Sequence, residues 1–297
     1  MVYINRENEV AALNPRTRGH VRRAAAAVVM TTAIGMTLSG CSLAEQFGPK
    51  PNKELAALYQ DARNDAEVFA QTNPGLAGLR ADQAEELHAE IIRVCGLRQD
   101  GTVPKTCDDH AIADQVSSTP MTLELSEDPS PSYSSTIISA PESSRALLVA
   151  QATDYAVQQG RDDVTTIAAQ VKSDEDAAKS LNNENEQQIL TTLAEFEAGA
   201  VYGLEASQAF VGDEAVAGIL EDARARLAAL NALLTVPVVP AASYEVAGEP
   251  PTDDTTGWAF VHRIQAEAQK AWTDAATKTQ APALLTTYIA GAANARS

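Results

Sequence analysis

The sequence predicts an all-α fold, two antiparallel four-helix bundle units in series, from three observations. The chain is rich in alanine and helix-forming residues, with aromatics at only 5% of 297 residues and few glycines, which favours helices over sheets. Eight stripes of apolar residues recur at helical spacing along residues 51–297. Glycine, proline and Asx signals separate them, and nowhere does an alternating strand pattern replace them.

The chain opens on a leader. Arg16, Arg18, Arg22 and Arg23 precede an apolar run from Ala24 to Leu38 that is too short for a comfortable membrane span. Basic, apolar and small residues in that order read as a secretory signal over residues 1–40. Arg22-Arg23 fits either twin-arginine export or an ordinary basic n-region. The run ends in Leu38-Ser39-Gly40-Cys41, which resembles the lipobox of bacterial lipoproteins. That resemblance implies cleavage before Cys41, a lipid on its sulfur, and attachment to the extracytoplasmic face of the cell membrane.

Residues 41–50, with Gly48 and Pro49, form a tether. A first helix carries Leu55, Leu58, Ala62, Ala66 and Phe69, and Asn73-Pro74-Gly75 ends it. A second carries Ala84, Leu87, Ile91 and Val94 before the C-cap candidate Gly96, completing a hairpin. Residues 97–141 read as a long loop, and the part from 117 onward, rich in Ser, Thr, Pro and acidic residues, as mobile and exposed. Such a loop either reaches a cell-wall partner or is a tolerated insertion. Pro141 opens a third helix with Leu148, Ala152 and Tyr155 inward, and Gly160 stops it. Val164, Ile167, Val171, Ala178 and Leu181 give a fourth stripe, interrupted near Asp174. The joint at Asn182-Asn183 is either bent or nearly continuous.

The second unit, 183–297, repeats the plan. A fifth helix over about 185–211 places Ile189, Leu193, Phe196, Ala200 and Leu204 inward, and Gly212-Asp213 supplies stop and restart. The sixth has Val216, Leu220, Ala223, Leu227, Leu230 and Leu234 spaced for bundle packing. Pro237 and Pro240 close it. Trp258, Val261, Gln265, Ala268, Trp272 and Ala275 form a seventh stripe. Pro282 starts the eighth, with Leu284 or Leu285, Tyr288 and Ala292 inward. The first unit accordingly spans 51–181.

Charge and cysteines bound the function. The leader holds five of the 22 Lys+Arg and only two of the 40 Asp+Glu, so the mature body is more acidic than the formal −18 of the whole chain. Such a body is repelled by nucleic acid, and nucleic-acid binding is rejected. With Cys41 assigned to lipid, Cys95 and Cys107 are the remaining thiols of an exported chain. Their spacing fits a disulfide contributing on the order of 3 kcal/mol, and no CxxC pattern supports a metal or redox pair.

The second unit also carries a family likeness. Glu197-Ala198-Gly199-Ala200-Val201-Tyr202-Gly203, the helix with Arg224 and Arg226 ending Leu230-Asn231-Ala232-Leu233-Leu234, Tyr244 before an acidic loop, and the helix ending in Trp272 resemble an actinobacterial ferritin-like domain family of unknown function. The resemblance covers roughly 183–297. It implies a ferritin-like four-helix bundle and no assigned activity. This chain has Ala198 where the family tends to carry His after the glutamate, and no His in the next helix, so a metal or catalytic role does not carry over.

Chemistry on the bundles is sparse. A carboxylate-bridged dinuclear centre needs inward Glu on two helices and Glu-x-x-His on the other two. The chain offers one such tetrad, Glu85-x-x-His88, with Glu67 on the preceding helix as its facing carboxylate. Glu197 reads as a buried carboxylate hydrogen-bonded to the neighbours of Tyr202 or to an arginine such as Arg224. Histidines outside the leader are His88, His110 and His262, so no Ser-His-Asp arrangement stands out, and no Gly-rich phosphate loop exists. Two classes remain. The favoured one is a non-catalytic, lipid-anchored helical scaffold, needing no cofactor, that binds an envelope protein or a cell-wall component. The other is a ferritin-like oxidoreductase or storage protein using iron or manganese.

Overall fold

A computed structural model describes residues 48–118, 131–161, 163–244 and 249–296. The leader 1–40, Cys41 and tether residues 42–47 lie outside the described residues. The described residues form eleven α-helices and no strand. None of these helices is long and apolar enough to cross a membrane.

Asn52 begins α1 (Lys53–Phe69) by accepting the Leu55 amide, and Asn73 does the same for α2 (Pro74–Cys95) at Leu76. In each case one of the amide donors left over at a helix start is satisfied. Gly96, at φ 77°, ends α2 in a backbone conformation that side-chain-bearing residues avoid. The two helices pack along their length as a hairpin. The Cys95–Cys107 disulfide closes the loop after it.

The stretch 97–141 is not the loop its composition suggests. It contains α3 (Asp109–Ser118) and α4 (Pro131–Ser139), with residues 119–130 outside the described set. Tyr133, Ile137 and Ala140 fall on one helical face and are buried, together with Ser134 and Thr136. An average over the polar segment hides those three apolar positions, and their burial offsets the ordering of the rest.

A short 3₁₀ turn follows Pro141 and leads into α5 (Arg145–Gln158). The fourth stripe is two helices, α6 (Val164–Ser173) and α7 (Glu175–Ser180). The Asp174 carboxylate accepts the amides of Asp176 and Ala177, so it starts a new helix instead of continuing the old one. Asn183 likewise caps α8 (Glu184–Val211), which makes the joint at 182–183 a true break. Next come α9 (Asp213–Leu233), α10 (Asp254–Lys278) and α11 (Pro282–Asn294). An Asp253–Thr256 capping box opens α10.

The break at 182–183 does not divide the core. One apolar cluster runs from Leu55 through Leu148, Val164, Leu190 and Trp272 to Ala293. α11 lies at its centre, packed on α4, α5, α6, α7 and α10, with every residue from Leu284 to Ala293 except Thr286 buried. A helix apolar on all sides needs such complete enclosure. α11 is also short, about 20 Å against about 42 Å for α8. Beyond its reach α8, α9 and α10 close a smaller cluster of their own around Leu204, Val216, Leu220, Phe260 and Val261.

Trp272 is fully buried against α11, where a Cβ on Gly291 would sit 2.1 Å from the indole Cε3. Gly291→Ala is therefore expected to lower unfolding free energy by about 1–3 kcal/mol through overpacking. Urea unfolding followed by circular dichroism checks this, and unchanged stability would mean that the indole has room to retreat.

Candidate functional site

Three helices that the hairpin and the disulfide bring together enclose a groove of about 780 Å³. Tyr59, Gln60, Arg63 and Glu67 of α1 form one wall; Ala81, Ala84, Glu85 and His88 of α2 form the second. α3 adds Asp109, Ile112, Ala113 and Val116. Four-residue steps place the α1 and α2 side chains on facing ridges, and the bridge at Cys107 sets where α3 starts. His88 Nε2 lies 2.9 Å from Asp109 Oδ1, joining two walls. The Tyr59 and His88 rings are 5.7 Å apart, and the Arg63 guanidinium sits 5.7 Å from the Tyr59 centroid.

Glu67, Glu85 and His88 thus share one groove, as residues of a common site would. Among the described residues, no group of three or more His, Cys, Asp or Glu could hold a metal ion. Glu197 is unsuited for another reason. It is fully buried, and its oxygens accept from Arg226 Nε at 2.7 Å, Arg226 Nη2 at 3.3 Å and Trp272 Nε1 at 2.5 Å. A guanidinium and an indole hold the carboxylate where an iron or manganese ion would need it. The donor set does not fit the dinuclear iron or manganese centre of the ferritin-like alternative.

The arginine is not Arg224. That residue points outward to the exposed Glu205, while Arg226, two positions on, faces the interior and also reaches Asn294 Oδ1 at 2.9 Å. A two-residue step turns a helical side chain by about 200°, which separates the two arginines onto opposite faces. Since Glu197–Arg226 is a fully desolvated pair, Glu197→Ala should cost about 3–5 kcal/mol by stranding a buried charge. Arg224→Ala should change stability little. Denaturant midpoints of the two variants decide between the arginines.

A second buried network went unseen in the sequence. Arg80, 1% exposed, donates from Nη2 to Asp61 Oδ2 at 2.9 Å, from Nε to Asp65 Oδ2 at 2.8 Å, and from Nη1 to Gln83 at 2.6 Å. Its guanidinium also sits 5.2 Å from the Tyr155 ring centroid. Gln83 continues to the Gln151 carbonyl, tying α2 to α5. The available signal was Asp61 and Asp65 one turn apart on α1, opposite Arg80, one of the two arginines of α2.

One guanidinium serves two carboxylates here. Burial, then the Asp65 charge, push the Asp61 carboxyl up to about 7, against the pull of Arg80. Burial raises Asp65 as well. A carboxyl with a raised folded pKa holds a proton that the unfolded chain has lost, so stability falls as pH climbs from about 4 to 7, by up to about 1.4 kcal/mol per unit. Asp163, held down to about 2 by hydrogen bonds from Thr166 and Thr165, acts in the opposite sense but below that window. Unfolding measured at intervals from pH 4.5 to 8 should show the decline, and Asp61→Asn should flatten it. Parallel profiles would remove the shared proton.

No protein-family model, curated protein or solved structure matches this chain.

Proposed function

We propose that this chain is an extracytoplasmic, lipid-anchored helical scaffold that binds an envelope partner and performs no catalysis. The groove walled by α1, α2 and α3 carries this reading, because it is a wide concave surface that gathers an aromatic ring, a histidine and three carboxylates from separate helices. Its position supports the tethered geometry. Pro49, at the start of the described chain, has its carbonyl oxygen 3.4 Å from the Cys107 sulfur, so the entering chain lies against the bridge that begins the α3 wall. The lipobox-like Leu38-Ser39-Gly40-Cys41 supplies the anchor in this reading.

The ferritin-like plan for the second half belongs to the same proposal. Its support is four consecutive helices in which α8 and α9 form a hairpin, α10 packs on α8, and α11 on α10. The actinobacterial lipoprotein family that the Glu197–Gly203 segment resembles fits that order.

A photo-crosslinker placed at Ala113 in membranes should give a defined adduct that is absent when the crosslinker sits at the exposed Ala206 of α8. Cys41→Ala should release the protein from the membrane and abolish lipid labelling. Stoichiometric iron or manganese in natively purified protein, lost in His88→Ala, would replace this reading with the metal-binding one.

A further inference from the structure

Each wall of the groove contributes one carboxylate, Glu67 from α1, Glu85 from α2 and Asp109 from α3. Glu67 and Glu85 are exposed and make no hydrogen bond or ion pair among the described residues. Asp109 has the His88 ring beside it. The lining holds a single full cation, Arg63, and that guanidinium has settled over the Tyr59 ring and not on a carboxylate. The ring face is taken by the chain's own cation, while two carboxylates stay open to solvent. Helical rise puts Tyr59 and Glu67 about 12 Å apart along α1, a span that three or four extended residues cover.

We propose that the groove binds a basic, extended peptide segment of a partner protein, with one cationic side chain between the open carboxylates Glu67 and Glu85 and a second at Asp109. Charge complementarity selects this occupant. The groove carries a negative surplus, and the chain as a whole is at −18, which speeds encounter with cations and disfavours anionic partners. The apolar floor of Ala84, Ile112 and Val116 takes the aliphatic stems of Lys or Arg. The inference rests on the scaffold reading above and names the chemistry of its partner.

The test uses the folded, exported chain and a blocked peptide, Ala-Lys-Ala-Ala-Lys-Ala, in titration calorimetry, with Ala-Glu-Ala-Ala-Glu-Ala and spermidine as comparison probes. The expected result is saturable 1:1 binding of the lysine peptide, weakened at least tenfold in Glu67→Gln/Glu85→Gln and unchanged in Glu205→Gln, a remote carboxylate on α8. Circular dichroism of the double variant should match the parent, since both side chains are exposed. Equal binding by parent and double variant would overturn the proposal, as would preference for the glutamate peptide. Spermidine binding as tight as the peptide would overturn the peptide assignment in favour of small polyamines. A groove-specific crosslink at Ala113 with no peptide binding would leave the scaffold reading in place and remove only this ligand class.

Discussion

The indole of Trp272 fits between a glycine and a buried ion pair, and much of the molecule is arranged around that requirement. On one side Gly291 leaves the space of a missing side chain on α11; on the other, Glu197 accepts the indole N–H and is itself gripped by Arg226. Arg226 in turn reaches Asn294 at the end of α11. Four helices, α8 to α11, meet at this one point. The enclosure of α11 follows, and α11 is what the N-terminal helices α4 to α7 pack against. The enclosure also has a cost, since the Thr287 and Tyr288 hydroxyls are buried without hydrogen-bond partners among the described residues. Burial pushes the Tyr288 phenol well above its usual range, so it stays neutral.

The two buried networks differ in their charge balance. Around Trp272 one carboxylate meets one guanidinium, a charge-balanced arrangement inside the packed core. Around Arg80 two carboxylates share one guanidinium, so one of them must hold a proton or leave a desolvated negative charge. This second network joins the same hairpin whose other face forms the groove. On α1, Asp61 and Asp65 point inward while Tyr59, Arg63 and Glu67 line the groove. Burying the polar network is what holds α1 and α2 in register, and that register decides which side chains face across the groove.

Helix content and most boundaries were legible in the sequence because they depend on local signals. The breaks at Gly96, Gly212 and Pro282, and the Cys95–Cys107 bridge, all follow from residue type and spacing. The misreadings have a common cause. The helix Pro131–Ser139 was hidden because its three apolar residues matter only through burial against α11, which local composition does not record. Arg226 and Arg224 are equally plausible partners for Glu197 until the facing of α9 is known, and that facing is set by tertiary packing. Arg80, an arginine nearly devoid of solvent contact, runs against the usual exposure of its type and is visible only in three dimensions. Glu67, Glu85 and His88 line one groove, and among the described residues no group of three or more His, Cys, Asp or Glu could hold a metal ion.

The disulfide links the fold to the groove in a way that composition alone would not suggest. α3 is only ten residues long and, among the helices, packs chiefly on α1, with Ile112 as its fully buried anchor. One short helix with so little buried apolar area has little of its own to oppose local opening. Cys107 lies two residues before it and is joined to the end of α2, so the bridge fixes the start of the third wall relative to the second. His88 and Asp109 then close the gap between those walls from the groove side. The groove is thus a property of the oxidised chain. That dependence on a cysteine pair ties the groove to conditions in which disulfides persist.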